Sequence, residues 1–202
     1  MAVCLIRTAW SGTSGGPGVT QLAVREQTGT FITAAKAQTA VDAMRTFWGA
    51  LATYMPDEVS LTVSPIVDGY EETTNTLIGS TTAATPPTVV KGVATTAYAM
   101  AAGMKINLNT TTIRYGRRVR GAIFIVPAAG GCYDVNGMAT AGARTAMTNA
   151  AKTLQTSLQN AGLDLMVWSR YNKKKPDRAG SLALVTGIET NEKLCILRGR
   201  RD

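Results

Sequence analysis

Two stretches of this sequence carry apolar residues at spacings of three and four, and this periodicity limits the folds open to the chain. Residues so spaced fall on one side of an α-helix, which must bury that side against another layer. Pro56 ends the first helix, predicted from about Lys36 to Tyr54, and Gly162 ends the second, predicted from about Thr140 to Ala161. The apolar stripes are Val41, Met44, Trp48, Leu51 and Met55, then Met147, Ala151, Leu154, Leu158 and Ala161.

The remaining segments show the patterns of β-strands. Val59, Leu61 and Val63 alternate with polar residues, as on a strand with one buried face. Asp68-Gly69 and the polar run to Asn75 predict a turn into a second strand near Thr76 to Thr81, which gives a β-hairpin. The strand candidates are residues 3–9, 19–24, 59–64, 76–81, 104–108, 122–126, 163–168, 181–186 and 194–197.

These elements predict an α+β fold with a mostly antiparallel sheet and two amphipathic helices. The alternative is a jelly-roll-like β-sandwich with helical insertions. A chain of 202 residues that is 45% hydrophobic buries a sufficient core by itself, so we expect a single domain over residues 1–202. Residues 82–103 are rich in Ala, Thr, Pro and Gly, and predict a long loop or arm that lies against a partner.

Positive charge is concentrated in the second half of the chain. The whole sequence has 21 Lys and Arg against 13 Asp and Glu, a net charge of +8. Residues 1–104 hold five basic and seven acidic side chains, while residues 105–202 hold sixteen basic and six acidic ones. This asymmetry indicates a polyanionic partner, most often a nucleic acid, and a solvated basic face is the alternative.

Four arginines lie within seven residues, at Arg114, Arg117, Arg118 and Arg120. The guanidinium group is permanently charged and its planar fork matches phosphate oxygens, so the cluster suits a polyanion. Salt bridges within or between subunits, and a solvated face, are the alternatives. Two further basic clusters lie at residues 173–178 and 198–201. The candidate contacts to nucleic acid or to a neighbouring subunit are therefore Arg114, Arg117, Arg118, Arg120, Lys173, Lys174, Lys175, Arg178, Arg198, Arg200 and Arg201.

The residue types that commonly carry catalysis are sparse. There is no histidine, so the usual acid-base group and metal ligand at neutral pH is absent from the sequence. Ser14 lies in a short run that resembles the serine-protease signature, but no histidine could deprotonate it, and a loop is the better interpretation. The cysteines Cys4, Cys132 and Cys195 lack metal-binding spacing. We therefore expect that the protein is not an enzyme and that it has no catalytic, cofactor-binding or metal-binding residues.

No segment is predicted to cross a membrane, because the longest weakly polar stretch, Val93 to Met104, is too short and too rich in Ala and Thr. The sequence also lacks the glycine-rich loops that hold nucleotide phosphates. We therefore expect neither a membrane partner nor a bound cofactor.

Several short stretches resemble small structural proteins of bacteriophages and environmental viruses. The resemblance implies a virion component, most simply a capsid subunit, and it transfers no catalytic residues. The stretches are Thr8-Ala9-Trp10-Ser11-Gly12, Asp57-Glu58-Val59-Ser60-Leu61-Thr62-Val63-Ser64-Pro65, Arg117-Arg118-Val119-Arg120-Gly121 and Arg200-Arg201-Asp202.

The leading hypothesis is therefore a viral coat protein that assembles with copies of itself into a shell. Its basic C-terminal half would contact the genome or neighbouring subunits. The expected partners are other copies of the chain and viral nucleic acid, and the expected location is the virion, assembled in the host cytoplasm. The alternatives are a ring-forming tail or head-completion protein, and a nucleic-acid-binding protein that acts alone.

Overall fold

A computed structural model describes residues 2–12, 18–26, 28, 31–71, 76–95, 98–108, 113–114, 117–118, 122–132, 140–164, 167–168, 184–185 and 195–199. The helices in these ranges are α1 (Ala34–Leu51) and α2 (Ala141–Asn160), with short 3-10 turns at Ala52–Tyr54 and Gly130–Cys132. The strands are β1 (Ala2–Ser11), β2 (Gly18–Glu26), β3 (Ser60–Glu71), β4 (Leu77–Thr82), β5 (Val90–Lys91), β6 (Tyr98–Leu108), β7 (Ile113–Arg114), β8 (Arg117–Arg118), β9 (Ala122–Ala129), β10 (Leu163–Asp164), β11 (Val167–Trp168), β12 (Leu184–Val185) and β13 (Cys195–Gly199). The α+β prediction is confirmed.

The main sheet is antiparallel, with the strand order β10-β2-β1-β3-β4 and with β5 added beside β3. In the β1–β2 hairpin, Cys4 pairs with Val24 and Ile6 pairs with Leu22. All four side chains are buried, because alternate residues of a strand point to the same face. The helices cover this face, as the hydrogen bond from Trp48 Nε1 to Thr8 Oγ1 (3.2 Å) shows for α1.

Helix α1 begins where Thr33 caps it and then buries the predicted apolar stripe. The Thr33 side chain accepts a hydrogen bond from the Lys36 amide, which satisfies one unpaired group of the first turn. Phe47 and Trp48 meet edge to face, with ring centroids 4.9 Å apart. The last predicted turn, Ala52–Tyr54, is a 3-10 turn, so the α-helix itself ends three residues earlier than predicted.

Helix α2 follows its prediction closely. Thr140 caps its first turn by accepting a hydrogen bond from the Ala143 amide. Met147, Leu154 and Leu158 are buried in the core against α1 and the sheet. Gly162 has φ 72, a left-handed conformation that glycine adopts without strain, and so ends the helix as predicted.

The predicted hairpin is confirmed, since β3 pairs antiparallel with β4, but its turn was predicted to start too early, because Asp68 and Gly69 lie inside β3, which continues to Glu71. Asp68 is buried and pairs with Arg7 of the neighbouring strand β1, so its charge does not force the chain out of the sheet. At Gly69 the ring of Phe31 packs so closely on the backbone that a Cβ would collide with it.

The range 82–103, predicted as a loop or arm, contains β5 and the first residues of β6. Residues 83–89 carry neither helix nor strand, and they lie along α1 of the same chain. The Thr85 amide donates to Gln38 Oε1 (2.8 Å), and Arg45 Nη1 donates to Thr88 Oγ1 (3.2 Å). This part of the range therefore contacts the chain's own helix.

A second antiparallel sheet has the order β13-β6-β9, and two further strand pairs are β7–β8 and β11–β12. Strand β9 connects the second sheet to the first, since it contacts β2 and ends in the buried residues Ala128 and Ala129. Beyond it, Cys132 Sγ donates to the Tyr54 carbonyl at 3.3 Å. The helices and the main sheet are called the body below, and the stretch from β6 to β9 is called the ribbon.

Candidate polyanion and subunit interface

Three of the four clustered arginines lie in one strand pair of the ribbon. Strands β7 and β8 are antiparallel, with Ile113 opposite Arg118 and Arg114 opposite Arg117. The last β6–β9 pair is Leu108 with Ala122, so β7 and β8 belong to the connection between those two strands. The sequence did not reveal that Arg114 and Arg117 are paired. Their separation by only two residues, the second a glycine, is the signal that could have predicted a hairpin there.

The pairing of Arg114 with Arg117 is electrostatically unfavourable by itself. Like charges at directly opposite positions destabilise an antiparallel pair. The ribbon's own sequence provides no counter-charge, because residues 98–129 include no Asp or Glu. They include five cations, which are Lys105, Arg114, Arg117, Arg118 and Arg120. An anion supplied from outside the ribbon would relieve the repulsion.

Arg198 lies inside β13, beside the ribbon. The register places it opposite Gly103 of β6, while Lys105 of β6 is opposite Ile196 of β13 and Ile125 of β9. Arg198 directly follows the last strand candidate, residues 194–197, so the local pattern predicts it outside a strand. In the structure, Arg198 belongs to the sheet that also contains β6 and β9 of the ribbon.

The other predicted contact residues lie outside the described residues, so their convergence with the ribbon stays a prediction. The loop that contains Ser14 also lies outside the described residues. These contact residues are Arg120, Lys173, Lys174, Lys175, Arg178, Arg200 and Arg201.

The body, in contrast, holds cations paired with carboxylates. Arg7 Nη2 lies 2.7 Å from Asp68 Oδ2, and Ser80 Oγ donates to the other carboxylate oxygen at 2.6 Å. Arg7 belongs to β1, Asp68 to β3 and Ser80 to β4, so this network joins three neighbouring strands. Its position within the sheet indicates a structural role.

A second ion pair joins the end of β2 to the first turn of α1. The Glu26 carboxylate is buried and is bound by the Lys36 ammonium group, and it also accepts the Thr28 amide at 2.7 Å. The hydrogen bond from Lys36, with help from Thr28, lowers the pKa of Glu26 to about 2. Glu26 therefore stays ionised near neutral pH and suits a structural ion pair better than a proton-transfer role.

The body's thiols and its helix groove offer little reactive chemistry. Burial raises the pKa of Cys4 and of Cys132 to about 11, which keeps both thiols protonated and poorly nucleophilic. A shallow groove of about 230 Å³ between α1 and α2 has no titratable lining. It is lined by Thr46, Phe47, Ala50, Ala146, Asn149, Ala150 and Thr153. Within the ranges given above, no three potential metal ligands come together.

The outer positions of both helices are mostly small and uncharged. Such side chains lose little rotamer entropy on contact and allow two surfaces to approach closely. The exposed residues of this kind include Ala34, Ala35, Thr39, Thr46, Gly49 and Ala50 on α1, and Ala141, Gly142, Thr145, Asn149, Thr153 and Thr156 on α2.

Comparison of the chain with protein-family models, with curated proteins and with solved structures finds no match. Of the helices that the structure describes, none is long and apolar enough to cross a membrane. The candidate interface is therefore inferred from the charge of the ribbon and from the pairing of its strands β7 and β8.

Proposed function

We propose that this protein is a viral coat subunit that assembles with copies of itself and contacts nucleic acid through the basic ribbon. The observation that carries the proposal is the direct pairing of Arg114 with Arg117 in a stretch that contains no acidic residue. The guanidinium fork binds phosphate and carboxylate oxygens in pairs, and a nucleic acid supplies closely spaced phosphates. A polyanion along the ribbon would turn an unfavourable strand pair into a favourable one.

Self-assembly is supported by a different part of the molecule. The exposed faces of α1 and α2 present small uncharged side chains, which suit repeated close contacts between identical subunits. The resemblance of short stretches to virion proteins favours the same class. A ring-forming tail or head-completion protein would use these features equally well, and its assembly would differ in shape.

A nucleic-acid-binding protein that acts alone is the second candidate. The arginine pair favours it directly, since binding to phosphates does not require assembly. It differs from the coat hypothesis in one measurable property, which is that the protein stays small when nucleic acid is bound.

Electron microscopy and sedimentation of the purified protein, with and without single-stranded nucleic acid, test the proposal. Uniform closed particles would support a coat subunit, and rings or tubes would support the tail or head-completion alternative. A small complex with nucleic acid would favour the second candidate. A protein that stays small and shows no salt-sensitive binding would contradict both.

Charge variants separate the ribbon from the general positive charge. Replacing Arg114, Arg117 and Arg118 with alanine should reduce particle yield or nucleic-acid content at least several-fold while the body stays folded. The matched control removes the same charge from the helices, with alanine at Arg45, Arg144 and Lys152. Equal losses in both variants would mean that net charge, and not the ribbon, drives assembly.

A further inference from the structure

Exposed apolar side chains are concentrated along one edge of the main sheet. Six large apolar side chains are exposed among the described residues, and Val19 on β2 is the only one away from this edge. A single exposed apolar residue is ordinary, but a row of them at one edge marks an interaction surface. The other five are Ile66 beside β4, Leu77 and Ile78 on β4, and Val89 and Val93 next to β5.

This edge offers a longer strand than the opposite one. Strand β4 has six residues and pairs with β3 on one side, and no described strand pairs with it on the other. At the opposite end of the strand order, β10 has only two residues, and β2 beside it also contacts β9. Of the two terminal strands that the structure describes, β4 therefore offers the longer row of backbone groups to a partner.

The backbone of β4 has hydrogen-bonding groups directed to the open side. Bonded and non-bonded positions alternate along an antiparallel pair, and the bond from the Ala83 amide to the Pro65 carbonyl (2.8 Å) fixes their phase. Ser80 and Thr82 then occupy non-bonded positions opposite Asp68 and Ile66, so their N–H and C=O groups point away from β3. An unpaired row of this kind is a template for another strand.

The composition of β4 does not block such pairing. Edge strands of monomeric proteins usually carry a proline, or a lysine or other charged residue, and these residues prevent pairing with another strand. Residues 73–90 contain no charged side chain, and β4 itself contains no proline, while β5 carries the exposed Lys91. Strand β4 therefore lacks the cations that would attract a nucleic acid, and it can lie against an identical strand without repulsion.

We propose that β4 pairs antiparallel with β4 of a second copy of the chain, across a two-fold axis. Because β4 is the longer of the two terminal strands, two copies form the most backbone hydrogen bonds when each contributes β4, which is the isologous arrangement. Two five-strand paths would then form one continuous sheet of ten strands, within the usual size of open sheets. The dimer needs no nucleic acid, so it goes beyond the proposed function and does not depend on it.

Mass measurement by light scattering in about 1 M salt, where contacts to phosphates are screened, tests the dimer. The wild type should have twice the chain mass of 21.3 kDa at micromolar concentration. Lysine at both Ile78 and Thr82 places charges on the edge and should raise the dissociation constant at least 100-fold, giving monomers. The matched control is Thr62→Lys. Thr62 is exposed on β3, a strand that already pairs with β1 on one side and with β4 and β5 on the other, so this variant should stay dimeric.

Amide exchange identifies the contact itself. In the dimer the Ser80 and Thr82 amides should be protected, and in the double lysine variant the Ser80 amide and the backbone amide at position 82 should exchange freely. The Thr81 amide, which faces β3, should stay protected in both and so reports that β4 is folded. A wild type that is monomeric throughout, or an oligomer that survives the lysine substitutions, would overturn the proposal. Failure of the coat hypothesis would leave the dimer intact, because the arginine variants keep β4 unchanged.

Discussion

The body and the ribbon of this molecule treat charge in opposite ways. In the body, Arg7 and Lys36 each bind a carboxylate that is largely buried. In the ribbon, Arg114 is placed directly opposite Arg117, and no acidic residue occurs in the whole stretch. The ion pairs of Arg7 and Lys36 stabilise the fold of the body, and the pairing of Arg114 with Arg117 is the basis of the proposal that the ribbon contacts an external anion.

The two regions also differ in what their strands lie against. The main sheet buries one face under α1 and α2, and its core includes the fully buried Trp48 and Phe47. The ribbon's sheet contacts the body through β9, which lies against β2 and ends in the buried Ala128 and Ala129, and through β13, which contacts α2. The body should therefore account for most of the folding free energy, and substitutions at arginines of the ribbon should leave it nearly unchanged.

The largest expected effect on stability comes from Trp48. Trp48→Ala would leave a cavity in the core and remove the hydrogen bond to Thr8, which should cost about 3–5 kcal/mol of unfolding free energy. Urea denaturation measures this loss. The alanine variant of Arg114, Arg117 and Arg118 should change the same quantity by less than about 0.5 kcal/mol. Equal losses in the two variants would break the division between body and ribbon.

A smaller effect is expected at Gly92, which lies against the backbone of Met55 and Pro56. A Cβ at this position would collide with the carbonyl oxygen of Pro56, so Gly92→Ala should cost about 1–3 kcal/mol. Gly49 is the control, because a Cβ there meets nothing within 4 Å. Gly49→Ala in α1 should instead stabilise by about 0.5–1 kcal/mol. Thermal denaturation of both variants checks the opposite signs.

The smallest effect concerns the pH dependence of the body. The folded-state pKa of Glu26 is about 2, below its ordinary value of 4.5, so its ion pair stabilises fully above pH 4.5 and is lost as pH falls towards 2. After allowance for solvent screening, the loss should be on the order of 1–2 kcal/mol. Glu26→Gln should flatten this part of the stability profile. An unchanged slope would show that the Glu26–Lys36 pair does not couple folding to pH.

Much of the body could be predicted from local patterns. The spacing of apolar residues placed both helices, and Gly162 marked the end of α2 with its left-handed backbone. The β-compatible runs at residues 3–9 and 19–24 placed β1 and β2, and alternation placed the start of β3. These predictions succeeded because each depends on residues close together in the sequence and on one buried face.

Predictions failed where distant residues decide the structure. The carboxylate of Asp68 is tolerated inside β3 because Arg7, sixty-one positions earlier, binds it. Strand β6 begins at Tyr98 despite its Ala- and Gly-rich sequence, because β9 and β13 both pair with it. In each case a long-range pairing outweighs the local preference.

The candidate site was only partly predictable. Composition and clustering identified the arginines, since permanent charge is a property of the residue itself. The opposition of Arg114 and Arg117, and the place of Arg198 in β13, depend on strand register, which clustering alone does not determine. The uncharged edge of β4 required the strand order before it could be recognised.

The salt dependence of binding to single-stranded nucleic acid tests most directly whether the ribbon holds the anion. If Arg114, Arg117 and Arg118 each contact a phosphate, replacing all three with alanine should lower the slope of log affinity against log salt by about 2. The control with alanine at Arg45, Arg144 and Lys152 should keep the wild-type slope. An unchanged slope in the ribbon variant, or an equal decrease in the control, would contradict the account.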